Sequence, residues 1–294
     1  MSQAKERVYV IGGTGNVGTK TVQDLIANHI PTTLYARNPS KVASLFPNGK
    51  DLIQVVQGDL SNLTPLEHSL AGHTRLFLLV SNQGQVAKIK TAIAKLAYAA
   101  GIKQIVDISS NSVCLPWRAT GFTESHRCAE EAIFNLPERG AYVALRPDQF
   151  MSNIIHFDRP GETEIVDSEE SDEPQCWISP NDIGALAAII LREDIEKHGD
   201  AAYQMIGDIV TPAQKAAILT RILDRPITYR KVSVVERYNQ LKQATGGYFP
   251  HRLLYDLVSM SRTSQSISKG LPILLGREPE TLEAYLASVK QSLL

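Results

Sequence analysis

Gly12, Gly15 and Gly18 stand where an apolar run, Arg7-Val8-Tyr9-Val10-Ile11, gives way to a helix-like segment. Glycines at that spacing could bind an anion. The first permits a tight turn, the second lets the main chain approach a pyrophosphate, and the third lets the helix pack close to the strand. Thr14, Asn16 and Val17 complete the turn, and the amides at the new helix start, with the positive end of its dipole, would hold the phosphates. Other reactive types are sparser. Ser109 and Ser110 follow a β-branched run, and His126 carries a ring whose unperturbed pKa lies near neutrality, where a proton donor is most useful. Asp148 follows another such run and could stabilise a cationic substrate or cap a short helix.

These residues need a scaffold. Strand-like runs at 7–11, 32–36, 52–57, 75–80, 103–109 and 141–146 alternate with segments long enough for helices. The clearest helices are Thr19–His29, Gln85–Ala100 and Thr123–Leu136. Such alternation predicts an α/β fold, a doubly wound parallel (Rossmann) sheet with ligands at the carboxyl ends of its strands. Beyond Arg146-Pro147 the pattern changes. Residues 159–173 read as a solvated acidic loop with Asp167, Glu169, Glu170, Asp172 and Glu173. Trp177–Asp182 reads as a strand end, a Ser179 cap and Pro180 at the first helical position. From Thr211 the chain reads as mostly helical, over Thr211–Leu223, Ser233–Ala244, Arg252–Met260 and Glu278–Ser292, with a strand at Ile227–Lys231. The expected division is a nucleotide-binding domain over 1–155 with a return segment near 176–210. A smaller, mostly helical C-terminal subdomain over 156–175 and 211–294 would cap the substrate.

The end of the second strand discriminates between cofactors. Tyr35-Ala36-Arg37-Asn38-Pro39-Ser40-Lys41 places Arg37 where a site for NAD carries an acid. A guanidinium pairs with a 2′-phosphate, Lys41 lies within reach, and an acid would repel that group. The expected cofactor is therefore NADP(H). Asp59, in Gly58-Asp59-Leu60, could accept from the adenine amine or cap the following turn. Ser81 and Asn82 follow the fourth strand and would border the inner ribose.

The turn Gly12–Gly18, the Tyr35–Pro39 segment, Gly58-Asp59-Leu60, Leu145–Asn153 and Trp177–Gly184 together resemble the NmrA-like group of atypical short-chain dehydrogenases, over roughly residues 6–210. The resemblance implies NADP binding. It implies activity loosely, because members include NADPH-dependent reductases of quinones, dyes and imines, tailoring enzymes of secondary metabolism, and regulators that bind the dinucleotide without turning it over. Ordinary short-chain dehydrogenases carry a Ser or Thr after the fifth strand, then a Tyr proton donor with a Lys four residues later. Aligned on that helix, Phe122 stands at the Tyr position and His126 at the Lys position. Phe122 cannot donate a proton. Hydride transfer would then suit an electrophile needing little acid help, such as a quinone, an imine or an enone. Ser109, Ser110 and His126 would shape the reacting site. His126 is a donor or a structural contact. Pro147 and Phe150 would wall the nicotinamide, with Gln149 and Asn153 close by, and Trp177, Tyr248 and Phe249 offer an aromatic pocket face or, any one of them, core or cap packing.

Composition sets the remaining bounds. Thirty basic against 31 acidic residues, net charge −1, argue against a nucleic-acid partner. No apolar run is long enough for a bilayer, and no signal peptide precedes the first strand. Cys114, Cys128 and Cys176 lack metal-type spacing and even pairing, so no metal is expected and the thiols read as reduced, in the cytoplasm. The expected partner is a small-molecule substrate, with a homodimer or a regulatory protein partner also open. Three functions follow: an NADPH-dependent reductase, a non-enzymatic NADP(H) redox sensor, or a non-redox tailoring enzyme on the same scaffold.

Overall fold

The computed structural model describes residues 7–49, 51–81, 84–260 and 266–294. In chain order the elements begin β1 (Val8–Ile11), α1 (Asn16–Ala27), β2 (Thr32–Ala36), α2 (Pro39–Leu45), β3 (Ile53–Gln57) and α3 (Thr64–Glu67). Next come β4 (Arg75–Leu78), α4 (Val86–Ala99), β5 (Gln104–Ile108), α5 (Gly121–Phe134) and β6 (Ala141–Pro147). The chain continues through β7 (Gln149–Phe150), α6 (Asn153–His156), β8 (Glu164–Asp167), β9 (Gln175–Ile178), α7 (Pro180–Ile190), α8 (Ile195–His198), β10 (Ala202–Met205) and β11 (Asp208–Val210). It closes with α9 (Pro212–Leu223), β12 (Thr228–Lys231), α10 (Val234–Ala244), α11 (His251–Ser259), α12 (Leu271–Leu275) and α13 (Leu282–Ser288).

Two compact units result. The first comprises Met1–Val113, Ser125–Arg146 and Asn181–Tyr203. Its sheet runs β10-β6-β5-β4-β1-β2-β3, and the registers from β3 through β6 are all parallel. Strand order reverses between β1 and β4, which makes that junction the topological switch point where an open α/β sheet receives its ligand. Parallel strands under helices are buried on both faces. Accordingly every residue of β1, β4 and β5 is buried. Tyr9, Ile11, Leu76, Leu78 and Ile105 pack with Ile93, Ala94 and Ala97 of α4 in one apolar cluster.

An ion pair crosses this core. Lys90 of α4 and Asp107 of β5 lie 2.7 Å apart, and both side chains are wholly buried. Lys90 Nζ also donates to the Ile108 carbonyl at 2.8 Å, and the Tyr142 hydroxyl donates to Asp107 Oδ2 at 2.8 Å. Burial pushes the Asp107 carboxyl up, against the pull of the Lys90 charge. The pair thus ties α4 to β5, the strand that leads to Ser109.

The second unit comprises Cys114–Glu124, Pro147–Pro180 and Gln204–Leu294. It holds two small sheets, β11-β9-β7 and β12-β8, and an apolar core that includes Met151, Ile154, Trp177, Leu219, Leu282 and Leu286. A capping box opens α9, with Thr211 and Gln214 reciprocally bonded and Pro212 in the first turn. The unit departs from sequence expectation in three places. The segment 159–173 is not all loop, because Glu164–Asp167 forms β8 beside β12. Asp167 is drawn inward: burial pushes its carboxyl up, but Lys215 and Arg237 hold it below its ordinary value. Residues 208–210 contribute β11, and the expected helix over 278–292 shortens to α13, with Thr281 accepting from Ala284 N as its cap.

Lys90→Met should lower stability in urea unfolding by about 3–5 kcal/mol, because it leaves Asp107 buried without its partner. Lys90→Met with Asp107→Leu should regain more than half of that loss. Equal destabilisation by the single and double variants would show that the charge on Asp107 is not the cause.

Candidate cofactor site

The turn after β1 is shaped by what cannot fit. Gly12 has φ +85°, and a Cβ there would lie 2.7 Å from the Leu79 carbonyl oxygen. A Cβ on Gly18 would lie 2.1 Å from the Gly12 carbonyl oxygen. These two positions bring β1, the β4 end and α1 into backbone contact. Gly15 differs: its nearest neighbour would be 3.8 Å away, so the space over it is open. Gly15 is also the N-cap of α1 and makes no side-chain cap bond, and the first turn holds no acid. Gly15 and Asn16 are exposed, Thr14 is half-buried, and Val17 is buried beneath. An exposed, uncapped helix start with a positive dipole end fits a pyrophosphate.

The adenosine side is built by β2 and β3. Arg37 follows β2 and is exposed, as is Lys41. The Asn38 side chain accepts from Lys41 N at 3.2 Å, and Pro39 starts α2, so the local sequence caps the helix and leaves both cations outward. Asp59 Oδ1 accepts from Ser61 N at 2.8 Å. That amide, and then the Arg37 charge, hold the Asp59 carboxyl below its ordinary value. Of its two sequence readings, the local turn is therefore made. Leu60 packs against the core and Ser81 is exposed at the end of β4. Asn82 lies outside the described residues.

The end of β5 carries a linked polar group. Ser109 Oγ donates to Glu130 Oε1 at 2.5 Å. Arg146, on β6, donates from Nε to the same oxygen at 3.0 Å and from its terminal nitrogen to Oε2. Glu130 escaped sequence reasoning, although it stands four residues after His126, one helical turn along α5. Ser110 shares a 2.9 Å hydrogen bond with Ser112. Of its two sequence readings, donor and structural contact, His126 does not fit the first as a neutral-range acid. It is 8% exposed, and burial, with the Lys90 charge, pushes its pKa down to about 3. The ring is neutral near pH 7, so no imidazolium is on hand to give a proton.

The remaining candidates belong to the second unit. Phe122 N donates to Asp256 Oδ2 at 3.1 Å, which fixes the start of α5. Pro147 is buried at the end of β6, and Asp148 Oδ1 accepts from Gln149 N at 2.9 Å in a local turn. Gln149 and Phe150 pair with β9, and Asn153 opens α6. Trp177 is 0% exposed and packs in the core, so of its two sequence readings, pocket face and core, the core is the one made. Phe249 packs against Phe157 in a tilted pair with centroids 5.1 Å apart, and Tyr248 is 84% exposed. Among the described residues no group of His, Cys, Asp and Glu could hold a metal, and no helix is long and apolar enough to cross a membrane.

A family model described as NAD(P)H-binding matches residues 12–194. The chain belongs to that NAD(P)H-binding family. Its relatives bear out the NmrA-like resemblance. It is 26% identical over 247 residues to an NAD(P)H azoreductase of Xenophilus azovorans, covering 82% of this chain and 80% of that one. It is 23% identical to the nitrogen metabolite repression protein nmrA of Emericella nidulans, covering 80% and 71%. Among solved structures, the NADPH-dependent quinone oxidoreductase QOR2 of Escherichia coli, complexed with NADPH, superposes with a TM-score of 0.79 at 24% identity, covering 97% and 99%.

Two outcomes check the site. Gly15→Ala should leave the melting temperature unchanged or slightly raised, since the space is open and the backbone extended, yet weaken dinucleotide binding about tenfold, the value of one displaced hydrogen bond. Gly18→Ala should lower both. The His126 shift sets a pH dependence. Between about pH 6.5 and 3 the unfolded chain binds a proton there that the folded chain refuses. Stability therefore falls with acidification across that window, by about 1.4 kcal/mol per pH unit from this group. His126→Gln should remove that slope in acid unfolding curves.

Proposed function

We propose that this protein is an NADPH-dependent reductase that transfers hydride to a small, electrophilic, aromatic or heterocyclic molecule. The observation that carries the reading is the open, uncapped helix start at Gly15 with Arg37 and Lys41 outward at the end of the neighbouring strand. In this reading Gly12, Gly15 and Gly18 shape the pyrophosphate cradle, and Arg37 and Lys41 read the 2′-phosphate. Bound NADPH supplies the hydride. The protein supplies position, because Phe122 replaces the usual phenol and His126 is neutral. Quinones, imines and enones suit such a site, and the names of the azoreductase and quinone oxidoreductase relatives agree with that class. A cytoplasmic role in secondary metabolism, with a substrate cap drawn from 156–175 and 211–294, completes the proposal.

A redox sensor is the second reading, favoured by the missing phenol and the nmrA relative. One experiment separates them: oxidation of protein-bound NADPH in a single turnover, followed by its reduced-nicotinamide absorbance, with quinones, azo dyes, cyclic imines, enones and simple ketones. Rapid oxidation by one class establishes the reductase. Tight binding with no oxidation assigns the sensor. Arg37→Asp should weaken NADPH by about 10- to 100-fold, the worth of a charge-assisted pair, and leave NADH within threefold. Equal losses for both cofactors would remove Arg37 from the 2′-phosphate.

A further inference from the structure

The Ser109, Glu130 and Arg146 group has a direction. A carboxylate gripped by a guanidinium has lone pairs to offer and no hydrogen to give. Arg146 meets both Glu130 oxygens, one of them at 3.0 Å, and Ser109 Oγ meets Oε1 at 2.5 Å. The single hydroxyl hydrogen of Ser109 therefore points at Glu130. What Ser109, 5% exposed, retains is the acceptor capacity of its oxygen. Its own amide is engaged, donating to the Leu145 carbonyl at 2.7 Å, so the residue is fixed at both ends.

We infer that Glu130 is a positioning residue that holds Ser109 as a hydrogen-bond acceptor, and that Ser109 receives an N–H of the nicotinamide carboxamide instead of protonating a substrate. The choice of ligand group follows from complementarity. Quinones and enones present acceptor oxygens, which a lone-pair-only serine cannot bind. The reduced nicotinamide carries its donor hydrogens on the carboxamide. Ser109 stands at the carboxyl end of β5, next but one to β1 in the sheet, on the ligand-receiving edge. This inference rests on the dinucleotide-binding part of the proposed function, not on turnover.

The test compares NADPH with its reduced 3-acetylpyridine analogue, in which a methyl ketone replaces the carboxamide and no N–H remains. Dissociation constants are measured by fluorescence titration for wild type, Ser109→Ala and Glu130→Gln, with thermal melts to show folding. The wild type should prefer the carboxamide by about five- to tenfold, the worth of one hydrogen bond. Ser109→Ala leaves the Glu130 and Arg146 pair intact and should erase the preference. In Glu130→Gln the amide can donate to Ser109 and release its hydrogen toward the ligand, so the preference should shrink or invert. If that variant does not fold, Ser109→Ala decides alone. A wild type without the preference, or a preference that survives Ser109→Ala, overturns the inference. A wild type that shows the preference but never passes hydride to any acceptor overturns the reductase reading and leaves this one standing.

Discussion

The close approach of backbone to backbone at Gly12 and Gly18 is the constraint on which the first unit depends. A single methyl group at Gly18 would overlap the Gly12 carbonyl, at 2.1 Å. With both glycines in place, α1 leaves β1 at once and lies against it, and the start of the helix is brought to the switch point between β1 and β4. The same tightness explains why Gly15 can be open. The turn is held by its ends, so its middle needs no side-chain support and can offer amides to an anion. Packing at two positions and emptiness at the third are thus one arrangement.

The charges in this unit follow a second rule: where they are buried they are paired, hydrogen-bonded or given up. Lys90 meets Asp107 with both side chains wholly buried, and Arg146 meets Glu130 with both half-buried. Isolated charges in such surroundings would be expensive, and pairing with full hydrogen bonding makes them tolerable without making them strongly stabilising. His126 obeys the same rule by refusing its proton, because it is buried and feels the Lys90 charge. The cations at Arg37 and Lys41 are exempt because they remain in water. Exposure leaves them available for a phosphate.

Most of the first unit was legible in the sequence because its signals are local. Its strands are apolar runs buried on both faces, and the glycine turn declares the order of strand and helix within a few residues. The second unit was less legible because its elements depend on remote partners. The strands β8 and β12 are four residues each and pair across more than sixty residues of chain. Nothing in Glu164–Asp167 announces a strand without that neighbour. Asp167 looks solvated among its acidic neighbours until Lys215 and Arg237 arrive from distant helices. Trp177 fails in the opposite sense. A lone tryptophan reads equally as pocket wall or as core, and the packing of Leu219, Leu282 and Leu286 around it decides for core.

The same distinction governs the reacting end of β5. Phe122 and His126 could be found by their spacing of four, since a helix brings such positions to one face. Glu130 continues that spacing, but its meaning comes from Ser109 and Arg146, which reach it from two other elements. Read alone, Ser109 is a hydroxyl able to give or accept. Read with its neighbours, it has already given. A proton donor is thus a property of the network and not of the residue type. On the proposed reductase reading, with Phe122 at the phenol position, the imidazole neutral and the serine hydrogen committed, catalysis would rest on holding two reactants in register. That favours substrates whose own electrophilicity draws the hydride.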